Sequence, residues 1–181
     1  VSLANYIITG SASISGYDLS LTAGRIDSYS GGVSVSVQNG ISVPGGITTR
    51  GAGAGYSDIL LTSAAGTTTT ASLVTDGGNI TVNSPVIVTT AATTTNINTT
   101  TTAKPNVGGS VTLTGGTNSG GSISLANAVR AASVTLSAYS ITQTAGRIDS
   151  VAVDFNDRVT KGQVLALINT DQLQAQLAQA R

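Results

Sequence analysis

The groups from which chemistry could be built in this chain are Ser, Thr and Tyr hydroxyls, eight carboxylates that are all Asp, and eight Lys or Arg side chains; His, Cys and Glu do not occur. The usual general bases, activated nucleophiles and transition-metal ligands are therefore missing. Two Arg–Asp pairs at i, i+2 remain as the best catalytic candidates, Arg25 with Asp27 and Arg147 with Asp149. With calcium held by Asp and an Arg acting as base, such a pair suits cleavage of a pectin-like polysaccharide. At that spacing both members lie on one side of a strand, and the expectation is a surface ion pair without a catalytic part. Asp76-Gly77-Gly78-Asn79 offers oxygen to calcium, but one Asp among glycines reads as a turn. No catalytic, cofactor-binding or metal site is assigned, no cofactor is expected, and the chain is read as a non-enzyme.

The elements that would have to position any site come from an unusual composition. The 181 residues include 22 Gly, with only 3% aromatic and 9% charged residues and a formal net charge of zero, whereas ordinary domains carry about 25% charged residues. Disordered chains pair high net charge with few β-branched residues; here Val, Ile and Thr abound, so the chain should fold as β-structure. A core almost free of Phe, Tyr and Trp must be built from thin aliphatic side chains, which fill a narrow interior better than a wide one. Charge balance leaves no cationic stripe for nucleic acid or an anionic membrane surface, and no run of about 18 apolar residues is available to span a bilayer as a helix. Any signal peptide is expected to have been removed or to lie upstream of Val1.

Period-two alternation marks short strands at Ile14–Leu21, Val33–Val37, Asn79–Val82, Ser110–Leu113 and Ser122–Leu125. Several such runs follow a glycine pair, at Gly31-Gly32, Gly45-Gly46, Gly77-Gly78, Gly108-Gly109 and Gly120-Gly121. A glycine corner followed by a short strand is a unit that cannot bury its own apolar face; stacked coils share one core. The reading is a parallel β-helix, or β-solenoid, over residues 1–150, with about seven rungs at roughly 20 residues per coil. Val, Ile, Leu and Ala should point inward, with Ser, Thr and Asn in ladders outside or at corners. The Thr-rich stretches Thr67–Thr70 and Thr93–Thr102 break the alternation and read as surface loops or an irregular rung. Above this pattern lies a longer repeat: Ser2–Ser28 aligns without a gap to Ser124–Ser150, with about half the positions identical, both segments opening on Ser-Leu-Ala-Asn and closing on Ala-Gly-Arg-Ile-Asp-Ser.

After Ser150 the texture changes. Val151–Phe155 and Val164–Ile168 read as a small β-hairpin around a turn ending at Gly162. From Thr170 or Asp171 a helix is expected, with Leu173, Leu177 and Ala180 along one stripe. Residues 151–181 are thus set apart as a second unit.

Two resemblances accompany these readings. The first 150 residues, with GGNITVNSP, GGSVTLTGG and GGSISLAN, resemble the β-helical repeat regions of filamentous-haemagglutinin-like bacterial adhesins. That resemblance implies export, right-handed parallel coils and a structural or adhesive role at the cell surface. Residues 146–181 are similar to the first half of the biotinyl-lipoyl-like domain of haemolysin-type membrane-fusion (periplasmic adaptor) proteins, which implies Gly146-Arg147-Ile148 as an opening strand, Val159–Gln163 as a turn and a helical hairpin from Thr170. Lys161 lacks the Met or Asp-Ala flanks of a modified carrier lysine and reads as a turn residue. The function expected is a structural or adhesive segment of an exported protein, extracellular or at the bacterial surface. The alternatives are a periplasmic adaptor fragment and, further off, a polysaccharide-binding or polysaccharide-lyase β-helix. The partners implied are a surface receptor or glycan, neighbouring solenoid copies, or secretion machinery if the tail is functional; nucleic acid is not expected.

Overall fold

Runs of three to five residues rich in β-branched side chains are too short to bury an apolar face by themselves, and the chain solves this by coiling. The computed structural model describes residues 2–3, 6–50, 58–90, 96–99, 108–126, 128–144, 148–151 and 166–167, with the backbone alone at 2–3, 96, 148–151 and 166–167. Strands β1 (Ser2–Leu3), β2 (Ile7–Thr9) and β3 (Ala12–Gly16) lie on three successive faces. The same faces are visited by β4 (Leu19–Leu21), β5 (Ile26–Ser28) and β6 (Val33–Val37), then by β7 (Ile41–Val43), β8 (Ile47–Thr49) and β9 (Ile59–Ser63). The order continues through β10 (Thr67–Thr70), β11 (Leu73–Thr75), β12 (Ile80–Asn83), β13 (Val86–Thr89), β14 (Asn96–Asn98) and β15 (Ser110–Thr114). It closes with β16 (Ser122–Leu125), β17 (Ala128–Ala131), β18 (Ser133–Ser137), β19 (Ser140–Gln143) and β20 (Ile148–Val151), after which β21 (Ala166–Leu167) pairs with β20.

The result is an all-β parallel solenoid of three sheets holding seven, eight and six strands. Every pairing is parallel except β20 with β21, which is antiparallel. Val151 pairs with Ala166, so residues of the two expected hairpin strands do meet, but the first of them is the end of β20, which starts at Ile148 as a parallel strand of the second sheet and also sets Ser150 opposite Leu167. The rest of that hairpin, Lys161 and the expected C-terminal helix lie outside the described residues, as does Arg147.

Register makes the core. On the first sheet Leu19, Ile41, Thr68, Ile87 and Ile123 stack in one inward column. On the second, Ile26, Ile47, Leu73, Ile97 and Val129 do the same; on the third, Val35, Leu61, Val82 and Leu113. All these side chains are buried, and each aliphatic one contributes about 1.5–3 kcal/mol relative to an exposed position. The spacing between stacked partners is far from constant, from 18 residues between Ser122 and Ser140 to 36 between Ile87 and Ile123. The strands keep register whatever the number of residues between them.

Two expectations are corrected here. The alternation from Ile14 to Leu21 is not one strand: β3 ends at Gly16 and β4 starts at Leu19, with a corner at Tyr17-Asp18, because the period of two runs unbroken across a tight bend. Thr67–Thr70 is no surface loop but the central strand β10, paired on both sides, with Thr68 and Thr70 buried. Threonine is β-branched and nearly the shape of Val, so packing accepts it where hydropathy does not. Part of the second Thr-rich stretch likewise enters the wall, with Ile97 and Thr99 fully buried.

Inward hydroxyls at strand ends have a recurring task. Thr9 donates to Ser11 O at 2.7 Å, Ser28 to Gly31 O at 2.5 Å, Thr75 to Gly78 O at 2.6 Å and Thr99 to Gly109 O at 2.7 Å. Each ties the end of a second-sheet strand to the corner that follows it and gives a corner carbonyl a donor; Gly109 O accepts from Ala132 N of the next coil as well, at 3.1 Å. Thr68 differs, since its Oγ1 is buried with no hydrogen-bond partner. The glycine at one corner is dictated twice over: Gly46 has φ +83°, and a Cβ there would collide with Ser72 of the next coil.

The same substitution should act with opposite sign at the two kinds of hydroxyl. Thr68→Val is expected to stabilise by about 1 kcal/mol by removing an unsatisfied polar group at constant shape, and Thr75→Val to destabilise by about 1 kcal/mol by stripping Gly78 O of its donor. Urea unfolding of both variants checks this, and two shifts of the same sign would refute the assignment. Gly46→Ala is expected to cost at least about 1 kcal/mol from backbone strain alone, read as a lowered thermal midpoint; an unchanged midpoint counts against the close approach.

Candidate functional site

The carboxylates act first as fasteners between coils. Asp18 Oδ1 accepts from Asn39 Nδ2 and Gly40 N, both at 2.9 Å, and Asp58 Oδ1 accepts from Asn79 N at 2.7 Å. Asn79 Oδ1 in turn accepts from Ser110 N at 2.9 Å and Ser110 Oγ at 3.0 Å. The Asp76–Asn79 turn thus spends its carboxamide oxygen on the next coil, and Gly77 takes φ +87° there. Among the described residues no group of three or more acidic, His or Cys side chains is placed to hold a metal ion.

Arg25 and Asp27 do meet, Nε to Oδ2 at 2.7 Å, but the surface ion pair expected of them is corrected by burial: the Asp27 side chain is only 4% exposed against 49% for Arg25. Ile26 and Ser28 face the core on either side of it, so alternation turns Asp27 outward from the wall, where it is covered. Its Oδ1 has no hydrogen-bond partner. For the second pair, the backbone register places Asp149 opposite Arg130.

Around Asp27 the coil brings together residues that are distant in sequence. Ile7 N donates to Arg25 O at 3.0 Å, which stacks Tyr6 beside Arg25, and the Arg25 guanidinium lies 5.4 Å from the Tyr6 ring centre. One coil corner further on, Arg50 N donates to Ser28 O at 2.8 Å and the Arg50 guanidinium lies 5.6 Å from the Tyr29 ring centre. Both distances fall within cation–π range. Ile8 sits directly opposite Asp27 in the neighbouring strand. The five Tyr look scattered along the chain, and sequence reasoning missed this grouping. The signal was available as the coil spacing, since Tyr6 precedes Arg25 by 19 residues and Tyr29 precedes Arg50 by 21.

A concavity of about 300 Å³ runs along the outer surface of the first sheet, away from this grouping, beside Asp18, Ser20, Ser42, Thr67 and Thr69. Its lining combines hydroxyls with the Asp18 carboxylate and with Leu19 and Ile41, without an aromatic floor. Among the described residues no helix is long and apolar enough to cross a membrane. The chain matches no protein-family model, no curated protein and no solved structure.

The buried pair yields a double-mutant test. Arg25→Ala strands a covered carboxylate and is expected to destabilise by about 2 kcal/mol, less than a fully buried pair because Arg25 is half exposed. Adding Asp27→Ala should recover part of that loss in urea unfolding; a double variant no more stable than Arg25→Ala would show that the carboxylate's burial is not what costs.

Proposed function

We propose that this chain is a structural and adhesive rod segment of an exported bacterial surface protein, acting without catalysis. The observation that carries the reading is the architecture itself: parallel coils with one continuous aliphatic core, their outer faces dressed with Ser and Thr. A solenoid of this kind offers length and a repetitive polar surface for little sequence complexity. The carboxylates that a catalytic or calcium site would need are committed to corners at Asp18 and Asp58, or covered at Asp27. That distribution supports a load-bearing wall over a reaction centre.

One observation favours a second reading, a fragment of a periplasmic membrane-fusion adaptor. The chain returns antiparallel on β20 through Ala166 and Leu167, as a half-domain joined to the rod's end would require.

Protease treatment of intact bacteria making the protein separates these readings. The surface reading expects digestion without lysis. Protection until the outer membrane is permeabilised supports the adaptor, and protection until complete lysis sinks both.

A further inference from the structure

We propose that the outer face of the second sheet, at Tyr6, Ile8, Arg25, Asp27, Tyr29 and Arg50, is a carbohydrate-binding patch that takes a short pyranose oligosaccharide. The proposal deepens the adhesive reading and draws its biological sense from it.

Exposure is the first ground. Tyr6, Ile8 and Tyr29 are 62%, 66% and 45% exposed, in a chain whose other large apolar side chains mostly line the core columns. Their placement is the second. Arg25 and Tyr29 bracket Asp27 along one edge of the wall, four residues apart, which at strand rise is about 13 Å and suits two to three sugar rings laid flat. Each end presents an aromatic ring backed by a guanidinium. The electron-rich face of a Tyr attracts the polarised C–H face of a pyranose, and guanidinium N–H groups donate to ring hydroxyls. Between them lies Asp27, whose Oδ1 is covered and without a hydrogen-bond partner. A covered carboxylate oxygen left unbonded costs free energy; a sugar hydroxyl donating to it as the half-exposed Arg25 side chain shifts would remove that cost.

The internal repeat supplies a control within the molecule. β17 and β20 occupy the second sheet in the second copy as β2 and β5 do in the first, Arg130 opposite Asp149 where Ile8 is opposite Asp27. The second copy keeps the Arg and the Asp, as Arg147 and Asp149, but has Ala128 where the first has Tyr6 and Arg130 for Ile8, and it is followed by Val151 where the first is followed by Tyr29. The coil therefore forms without the exposed apolar trio, and those side chains are surplus to folding. A protein partner would ask for a broader apolar surface than three side chains, whereas paired aromatic faces around a carboxylate and two guanidinia match a polyhydroxylated ring.

The test uses the full chain on a printed array of neutral and acidic pyranose oligosaccharides, followed by calorimetric titration with the strongest binder. Tyr6→Ala and Tyr29→Ala are each expected to weaken binding about tenfold or more, roughly the loss of one stacking contact. Tyr17→Ala, at an exposed corner away from the patch, should leave it unchanged. Tyr6→Ala copies what Ala128 does in the second repeat, and unchanged circular dichroism confirms folding. Absence of binding to every arrayed saccharide overturns the proposal, as does a captured protein that competes for the patch, or equal loss in all three variants. Because binding is read on purified chain, failure of surface display leaves this proposal standing, and failure here leaves the rod reading standing.

Discussion

Parallel pairing from each coil to the next, with inward side chains held in register, is the constraint on which everything else in this molecule depends. No single coil of three short strands encloses an apolar volume. Stacked, they share columns such as Ile26–Ile47–Leu73–Ile97–Val129, in which each side chain finds van der Waals partners above and below. The ladder and the columns enforce one another: a slip of one residue would turn a whole strand inside out. That is why coil length can range so widely while register does not change.

Corners carry the complementary burden. Three faces per coil mean three bends, each leaving backbone carbonyls and amides outside the ladders. Short polar side chains meet that demand in two ways. Hydroxyls at strand ends reach their own corner, as Thr75 reaches Gly78 O, and Asp or Asn side chains reach the corner of the following coil, as Asp58 reaches Asn79 N. The abundance of Thr, Ser and Asn is thus partly structural and not simply a solvated surface. Thr68, facing inward without a partner, shows that packing shape alone also admits a hydroxyl where the column needs a β-branched residue.

The duplicated segment separates what the coil requires from what it merely carries. Both copies place their strands on the same sequence of faces, with Tyr17 and Tyr139 exposed at equivalent corners. Arg and Asp recur in both, consistent with a structural pair, whereas the aromatic and aliphatic groups around Asp27 occur once. Function on such a scaffold is applied to outward positions that the ladder leaves free, so neighbouring positions can differ widely in purpose while sharing the same backbone.

The amino-acid sequence alone determined the class of architecture. Thin aliphatic residues alternating with Ser and Thr between glycine corners admit few solutions besides a narrow stacked coil, and strands such as Val33–Val37 and Ser122–Leu125 fall where alternation places them. The repeat, too, was readable from identities in register. Only the tertiary structure decided which residues become neighbours across coils. Alternation says whether a side chain points in or out, but adjacency depends on how many residues separate one strand from its partner in the next coil, and that varies from coil to coil. So the covering of Asp27 and the inward placement of Thr68 and Thr70 were decided by the stack, and the union of Tyr6 with Arg25 shows in the sequence only once the length of that coil is known: each depends on the length of the coil between two strands, which is settled only when the whole stack finds its register.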